Sequence, residues 1–357
     1  MTTIGILGAS SQVGSSVALY LRKLAAVRVI CFIRSEYSRI FFQLFDIECR
    51  RIEDGNQAQL KEALAPLDVI LDFRYPAVQM HDILSRSRRD IENALSAVKP
   101  GSSYFYMSSI MAYGMPDNEK RIAHYRFPRT SYSYIKRALE RFTAAKGRSK
   151  GIKVYIFRLG QVHGFLQSVN SSFRMKLAST NIALIDGEKD DPVNTIFIYP
   201  LCEAILNCAN GMNLPGLYTL VSEPQWTLYD LYDYYNQEYR DGSVHLAFRP
   251  AATARKKKRP LQQVIDLARP YRSLVETYLL MKWPALAVSM KGRFRQNELS
   301  GRKDQAYAGM EYIDYNLLGV PPFQRLRGLS SDPAATRKVE KEMEDYYRTV
   351  ITSAQHA

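Results

Sequence analysis

The stretch TSYSYIKRALE, Thr130 to Glu140, places two tyrosines just ahead of a lysine. A phenol beside an ammonium can move a proton, because the positive charge favours the phenolate and lowers a pKa that otherwise lies near 10. On a helix, residues four apart share a face and residues two apart do not. Tyr132 can therefore meet Lys136, and Tyr134 cannot. The same spacing recurs at Tyr278 and Lys282 in a chain with 24 tyrosines, where it reads as a surface helix. Spacing alone does not decide, so the surrounding motifs and elements must.

A second chemistry-bearing stretch is GASSQVG, Gly8 to Gly14, between the apolar run IGILGA and the helical pattern SVALYLRKLA. A glycine-containing turn there aims backbone N–H groups and the positive helix end at a phosphate. Downstream, strand-like and helix-like segments alternate: VRVICFIR, a helix at Tyr37 to Leu44, a short strand near Cys49 to Ile52, and a helix from Gln57 to Leu64. DVILDF, a helix over Met80 to Val98 and the strand SYFYMSS continue the rhythm. Strand and helix in repetition predict an α/β fold, a Rossmann-type doubly wound parallel sheet covered on both faces. After about Phe165 the rhythm changes; IFIYPLCEAILNCA and LYTLVS predict a last return to the sheet, and the segments from Leu228 onward read as helical. The expected division is a dinucleotide-binding domain over 1–165 with a return segment near 193–222. Residues 166–192 and 223–357 are then expected to form a smaller, mostly helical substrate-binding region.

Together these motifs resemble the extended short-chain dehydrogenase/reductase family, of the nucleotide-sugar epimerase and dehydratase type. SSIMAYG (Ser108 to Gly114) resembles the element that carries the family's catalytic serine, which falls on Ser109, 23 residues before Tyr132. FRLGQVHGF (Phe157 to Phe165) and YNLLGVPPFQRLRGL (Tyr315 to Leu329) are similar to two later family signatures. The resemblance implies a triad in which Ser109 holds a substrate oxygen and Tyr132 transfers its proton. Lys136 would lower the tyrosine pKa and hold the nicotinamide ribose. It also implies cofactor contacts at Gly8, Ser10, Ser11, Gln12, Val13 and Gly14, with Ser11 in place of the family's middle glycine. Arg34 stands where NAD-selecting members carry an acid; an arginine there pairs with a 2′-phosphate and implies NADP rather than NAD. Asp54 resembles the family acid near the adenine, and equally a solvated turn aspartate. Family 4,6-dehydratases carry an Asp-Glu pair where this chain has Ile110 and Met111, which argues against dehydration.

The expected function is thus an NADP-dependent reductase or dehydrogenase acting on a sugar-like, nucleotide-linked carbonyl or alcohol. The alternatives are a 4-epimerase with tightly held NAD and a non-catalytic dinucleotide sensor. Four cysteines without CxxC pairing and five scattered histidines predict a reduced cytoplasmic protein with no metal site. The N-terminus opens on a strand-like run rather than a secretory leader. The net charge of +14 is concentrated: Arg249 to Lys303 hold fourteen Lys or Arg against three acids. That distribution does not follow a cleft, which argues against nucleic acid. Two readings stand for this basic segment. Its apolar stripes pack on the substrate region under solvated charges, or it forms a helix lying peripherally on an anionic membrane. A homodimer contact or an acidic partner is the remaining use for such a face.

Overall fold

The computed structural model describes residues 1–53, 55–76, 80–113, 131–249, 279, 283, 326 and 332–355. The first half runs β1 (Thr2–Leu7), α1 (Gln12–Arg22), β2 (Val27–Ile33), α2 (Glu36–Leu44), β3 (Glu48–Arg51), α3 (Gln57–Leu64) and β4 (Val69–Asp72). It continues with α4 (Met80–Ala97), β5 (Ser103–Ser109), a 3-10 turn (Ile110–Tyr113), α5 (Ser131–Ser149) and β6 (Lys153–Leu159). Then come β7 (Gln161–His163), α6 (Val169–Ala178), β8 (Ile182–Asp186), β9 (Thr195–Phe197), α7 (Ile198–Ala209) and β10 (Gly216–Leu220). The last described elements are α8 (Leu228–Arg240), β11 (His245–Arg249) and a C-terminal helix, α9 (Pro333–Gln355).

Seven strands form one parallel sheet in the order β10-β6-β5-β4-β1-β2-β3. The chain starts in the middle, winds outward through β2 and β3, then returns past β1 to β4. That reversal opens a crevice at the carboxyl ends of β1 and β4, where open α/β sheets bind ligands. The inner strands are apolar on both faces because helices cover both. On one face α1 and α7 bury Val17, Leu21, Leu201 and Ile205; on the other α3, α4 and α5 bury Leu64, Ile91, Leu95 and Leu139. The predicted return to the sheet is α7 followed by β10, which pairs with β6.

One departure lies past Leu228. HLAFR, expected within a helical stretch, is instead β11, paired in parallel with β8. Its alternation is too short to outweigh the helical pattern of α8 before it, and only the partner strand makes it a strand. These two strands, α6 and α8 enclose a small aromatic core around Trp226, Tyr234 and Tyr235. The C-terminal helix α9 lies on the large sheet's first face, where Tyr347 stacks on Phe45 of the α2 end at 5.4 Å. Three of the four cysteines are buried, Cys49 is half-buried, and all are free.

Candidate functional site

The glycine turn before α1 is built by three local devices. Gly8 adopts φ +72°, a left-handed conformation that only glycine takes without strain. A Cβ on Gly14 would lie 2.6 Å from the Gly8 carbonyl oxygen, so the helix can approach the turn only without one. Ser11 caps α1: its hydroxyl accepts the Gly14 N–H at 3.1 Å, which turns the side chain into the helix. Replacing the middle glycine therefore costs the turn no room. Helix α1 carries no acid in its first turn, leaving its positive end available to an anion.

Beside this turn opens a cavity of about 420 Å³, lined by Gly8, Ser10, Ser11, Arg34, Asn56, Arg74 and Tyr75 among others. Its lining joins the turn to the ends of β2 and β4. Gln12 and Val13, expected at the cofactor, do not line it. The Gln12 side chain accepts from Ser168, and Val13 packs toward the core. Both residues lie past the turn, where helix α1 rotates their side chains away from its end. Arg34 is exposed on the cavity wall at the end of β2. Asp54 lies outside the described residues.

The triad assembles at the carboxyl end of β5. Ser109 ends the strand, its oxygen accepting the Met111 N–H at 3.2 Å and its hydroxyl bonded to the Tyr132 phenol. Tyr132 and Lys136 lie one turn apart on α5, and the Lys136 ammonium stands 5.7 Å from the Tyr132 ring centre. Lys136 is buried and donates to the Met107 carbonyl at 3.0 Å. Its ammonium is also 5.4 Å and 5.5 Å from the Tyr106 and Tyr75 ring centres, an aromatic cage. Tyr134, two residues on, packs into the other apolar layer. The 3-10 turn is tied to α5 through Ser133, which donates to the Met111 carbonyl at 2.6 Å, and through Arg137, which donates to that of Ala112.

The electrostatics correct one expectation. Burial, with Tyr75 nearby, pushes the Tyr132 phenol up to about 12 despite the Ser109 hydrogen bond. Burial pulls the Lys136 ammonium down to about 8, against the charges of Glu140 and Asp72. Desolvation is the largest cause for both groups, so the phenol is not lowered as its spacing from Lys136 implied.

Several residues near the triad gave no clear signal in the sequence. Arg74 and Tyr75 follow β4 directly; Tyr75 lies 5.9 Å from the Tyr132 ring and joins the cage. The one available clue was an arginine and a tyrosine placed where a parallel strand ends. A second cavity of about 220 Å³ lies beyond Ile110, lined by Gln161, Phe173, Lys176, Asn194 and Tyr232 among others. Its walls come from α6, β9 and α8, elements that sequence order keeps far apart. The basic segment is described only at Arg249, Leu279 and Trp283, the last exposed. Tyr278, Lys282 and the C-terminal signature apart from buried Leu326 lie outside the described residues. Among the described residues no helix is long and apolar enough to cross a membrane.

Residues 4–195 match the NAD dependent epimerase/dehydratase family. No curated protein matches the sequence. Among solved structures, the chain is similar to the UDP-N-acetylglucosamine 4-epimerase of Bacillus cereus (18% identity, TM-score 0.53, covering 70% of this chain and 86% of that one). It is also similar to the UDP-glucuronic acid 4-epimerase of the same organism in complex with UDP-glucuronic acid and NAD (15%, 0.52, 70% and 87%). A third is the UDP-glucose 4-epimerase of Thermotoga maritima (14%, 0.51, 71% and 86%). At such identities the structures establish a shared fold. With the family match spanning the phosphate turn, the triad and more than half of the sequence, the chain is an enzyme belonging to the NAD dependent epimerase/dehydratase family.

Proposed function

We propose that the protein epimerises a nucleotide-linked sugar through a transient ketone, with NAD as the resident dinucleotide. The observation that carries the reading is that Ser109, Tyr132 and Lys136 come together at the end of β5, with Tyr75 of the first cavity's wall beside Tyr132 and Ile110 of the second cavity's wall next to Ser109. Gly8, Ser10, Ser11 and Arg34 would hold the dinucleotide's phosphate and adenosine half, and Lys136 with Tyr75 borders its reactive half. Bound NAD supplies a hydride acceptor that becomes a donor in turn. The chain's own residues handle the rest. Ser109 positions the substrate oxygen, and Tyr132, as the phenolate that the Lys136 charge favours, takes its proton as the ketone forms and returns it when the hydride comes back. Ile110 and Met111 bring no acid or base for elimination at those two positions.

NAD replaces the NADP expected from Arg34 because the family is NAD dependent and the UDP-glucuronic acid epimerase was solved with NAD. An NADP-dependent reductase remains the second reading, favoured by one observation: Arg34 faces the cavity, while Glu36 beside it leans on Arg39 at 3.6 Å and Arg51 at 4.0 Å. The test is to incubate the protein with UDP-sugars and NAD, then follow both nicotinamide absorbance and the epimer ratio. Epimer formation without net absorbance change supports the proposal. Stoichiometric, NADP-requiring absorbance change supports the reductase, and in that case Arg34→Ala weakens NADP by roughly 10- to 100-fold and leaves NAD unchanged.

A further inference from the structure

We infer that Arg74 is a second anchor for the diphosphate of the dinucleotide, acting from the opposite side of the glycine turn to Arg34; the inference rests on the dinucleotide reading. Strand β4 lies directly beside β1, with Leu7 opposite Asp72, so the chain leaves the sheet at Arg74 next to the turn. The two backbones touch: a Cβ on Gly8 would lie 2.8 Å from the Arg74 nitrogen. Arg34 ends β2 on the other flank of β1. The turn and the start of α1 thus sit between two arginines, and Arg74 is the one held in place.

Its guanidinium is held by a buried carboxylate and a helix carbonyl. Nε donates to Asp72 Oδ1 at 2.9 Å, and Nη2 donates to Asp72 Oδ2 at 2.7 Å and to the Asp90 carbonyl at 3.1 Å. Asp72 is itself buried and receives the Tyr104 hydroxyl. Of the five guanidinium N–H groups these bonds engage three. The two on Nη1 have no partner among the described residues, although the side chain is only 26% exposed and lines the cavity. A donor pair held this way loses little side-chain entropy on binding, and phosphate oxygens match its planar geometry. A structural ion pair needs only the Asp72 edge of the guanidinium; the edge turned from it is what a ligand would use.

The experiment is equilibrium titration of the full chain with NAD, ADP-ribose, ADP and adenosine. The proteins compared are wild type, Arg74→Gln, and the double variant Asp72→Asn/Arg74→Gln, which removes the buried carboxylate together with its partner. Thermal unfolding shows that each is folded. Both variants are expected to bind ADP and ADP-ribose about 10- to 100-fold more weakly while adenosine changes less than about twofold. If the double variant, folded, binds ADP as wild type does, or loses ADP and adenosine equally, the anchor role is overturned and the dinucleotide reading stands. If wild type binds neither NAD nor ADP-ribose, the dinucleotide reading falls and the anchor with it.

Discussion

At the scale of the residue, the question is which tyrosine handles the proton. Tyr132 is bonded to Ser109 and stands beside Lys136, whereas Tyr134 is half-buried against the apolar layer on that side of the sheet. Tyr132→Phe is expected to lower turnover by about 10²- to 10⁴-fold with the fold unchanged, the range of a lost general acid–base. Tyr134→Phe, which loses one hydroxyl at a half-buried position, should change turnover severalfold at most. Measured kcat values for the two variants decide; equal losses would remove Tyr132 from its role. The helical spacing of four residues was enough to say which of the two meets Lys136. It was not enough to set the pKa, because the spacing of two groups says nothing about how much water each has lost.

At the scale of the element, the triad depends on how α5 is seated against β5 and β6. One turn beyond Lys136, buried Glu140 accepts from Ser108 and takes both Nε and Nη2 of Arg158, at 2.9 Å and 2.6 Å. Ser108 is the neighbour of Ser109 and Arg158 lies on β6, so one carboxylate ties the strand end, the helix and the next strand together. Its charge also opposes the loss of the Lys136 proton. Glu140→Gln leaves a buried guanidinium short of its partner and should cost about 3–5 kcal/mol of stability. Glu140→Gln with Arg158→Met should cost less than the two single changes added, read from denaturant unfolding as a double-mutant cycle. Additive costs would mean that the pair does not act as a unit. The helix and both strands were legible from their periodicity, but the pairing of Glu140 with Arg158 across 18 residues was not.

At the scale of the whole molecule, α9 closes the structure with a buried acid. Glu340 accepts the Phe165 N–H at 2.8 Å and the Tyr199 N–H at 3.2 Å, joining the C-terminal helix to the loop after β7 and to the start of α7. Burial, with Glu238 and Glu344 nearby, pushes its carboxyl up to about 7 despite those two donors. The folded value lies above the unfolded one, near 4.5, so the folded state holds the proton more tightly. The associated stability is present below about pH 4.5 and lost as pH rises through about 7, a change of about 3 kcal/mol. Between those pH values the unfolding free energy of wild type should fall by about this amount more than that of Glu340→Gln. Parallel curves would show that Glu340 ionises freely in the fold.

What the sequence determined by itself is whatever depends on near neighbours. The alternation of β1 to β6 with their helices, the Gly8 turn, the partnership of Tyr132 with Lys136 and the placing of Ser109 at a strand end all follow from periodicity, backbone freedom and short spacing. The tertiary structure decided whatever depends on distant segments meeting. Only the sheet order sets Arg74 against Gly8, and only the helix packing brings Tyr75 to Lys136. HLAFR becomes a strand because β8 offers it an edge, and Glu340 reaches α7 because the chain returns to its first face. Burial, too, is a tertiary quantity: desolvation sets the titration of Tyr132, Lys136 and Glu340, and no local pattern of residues reports how much water the fold removes.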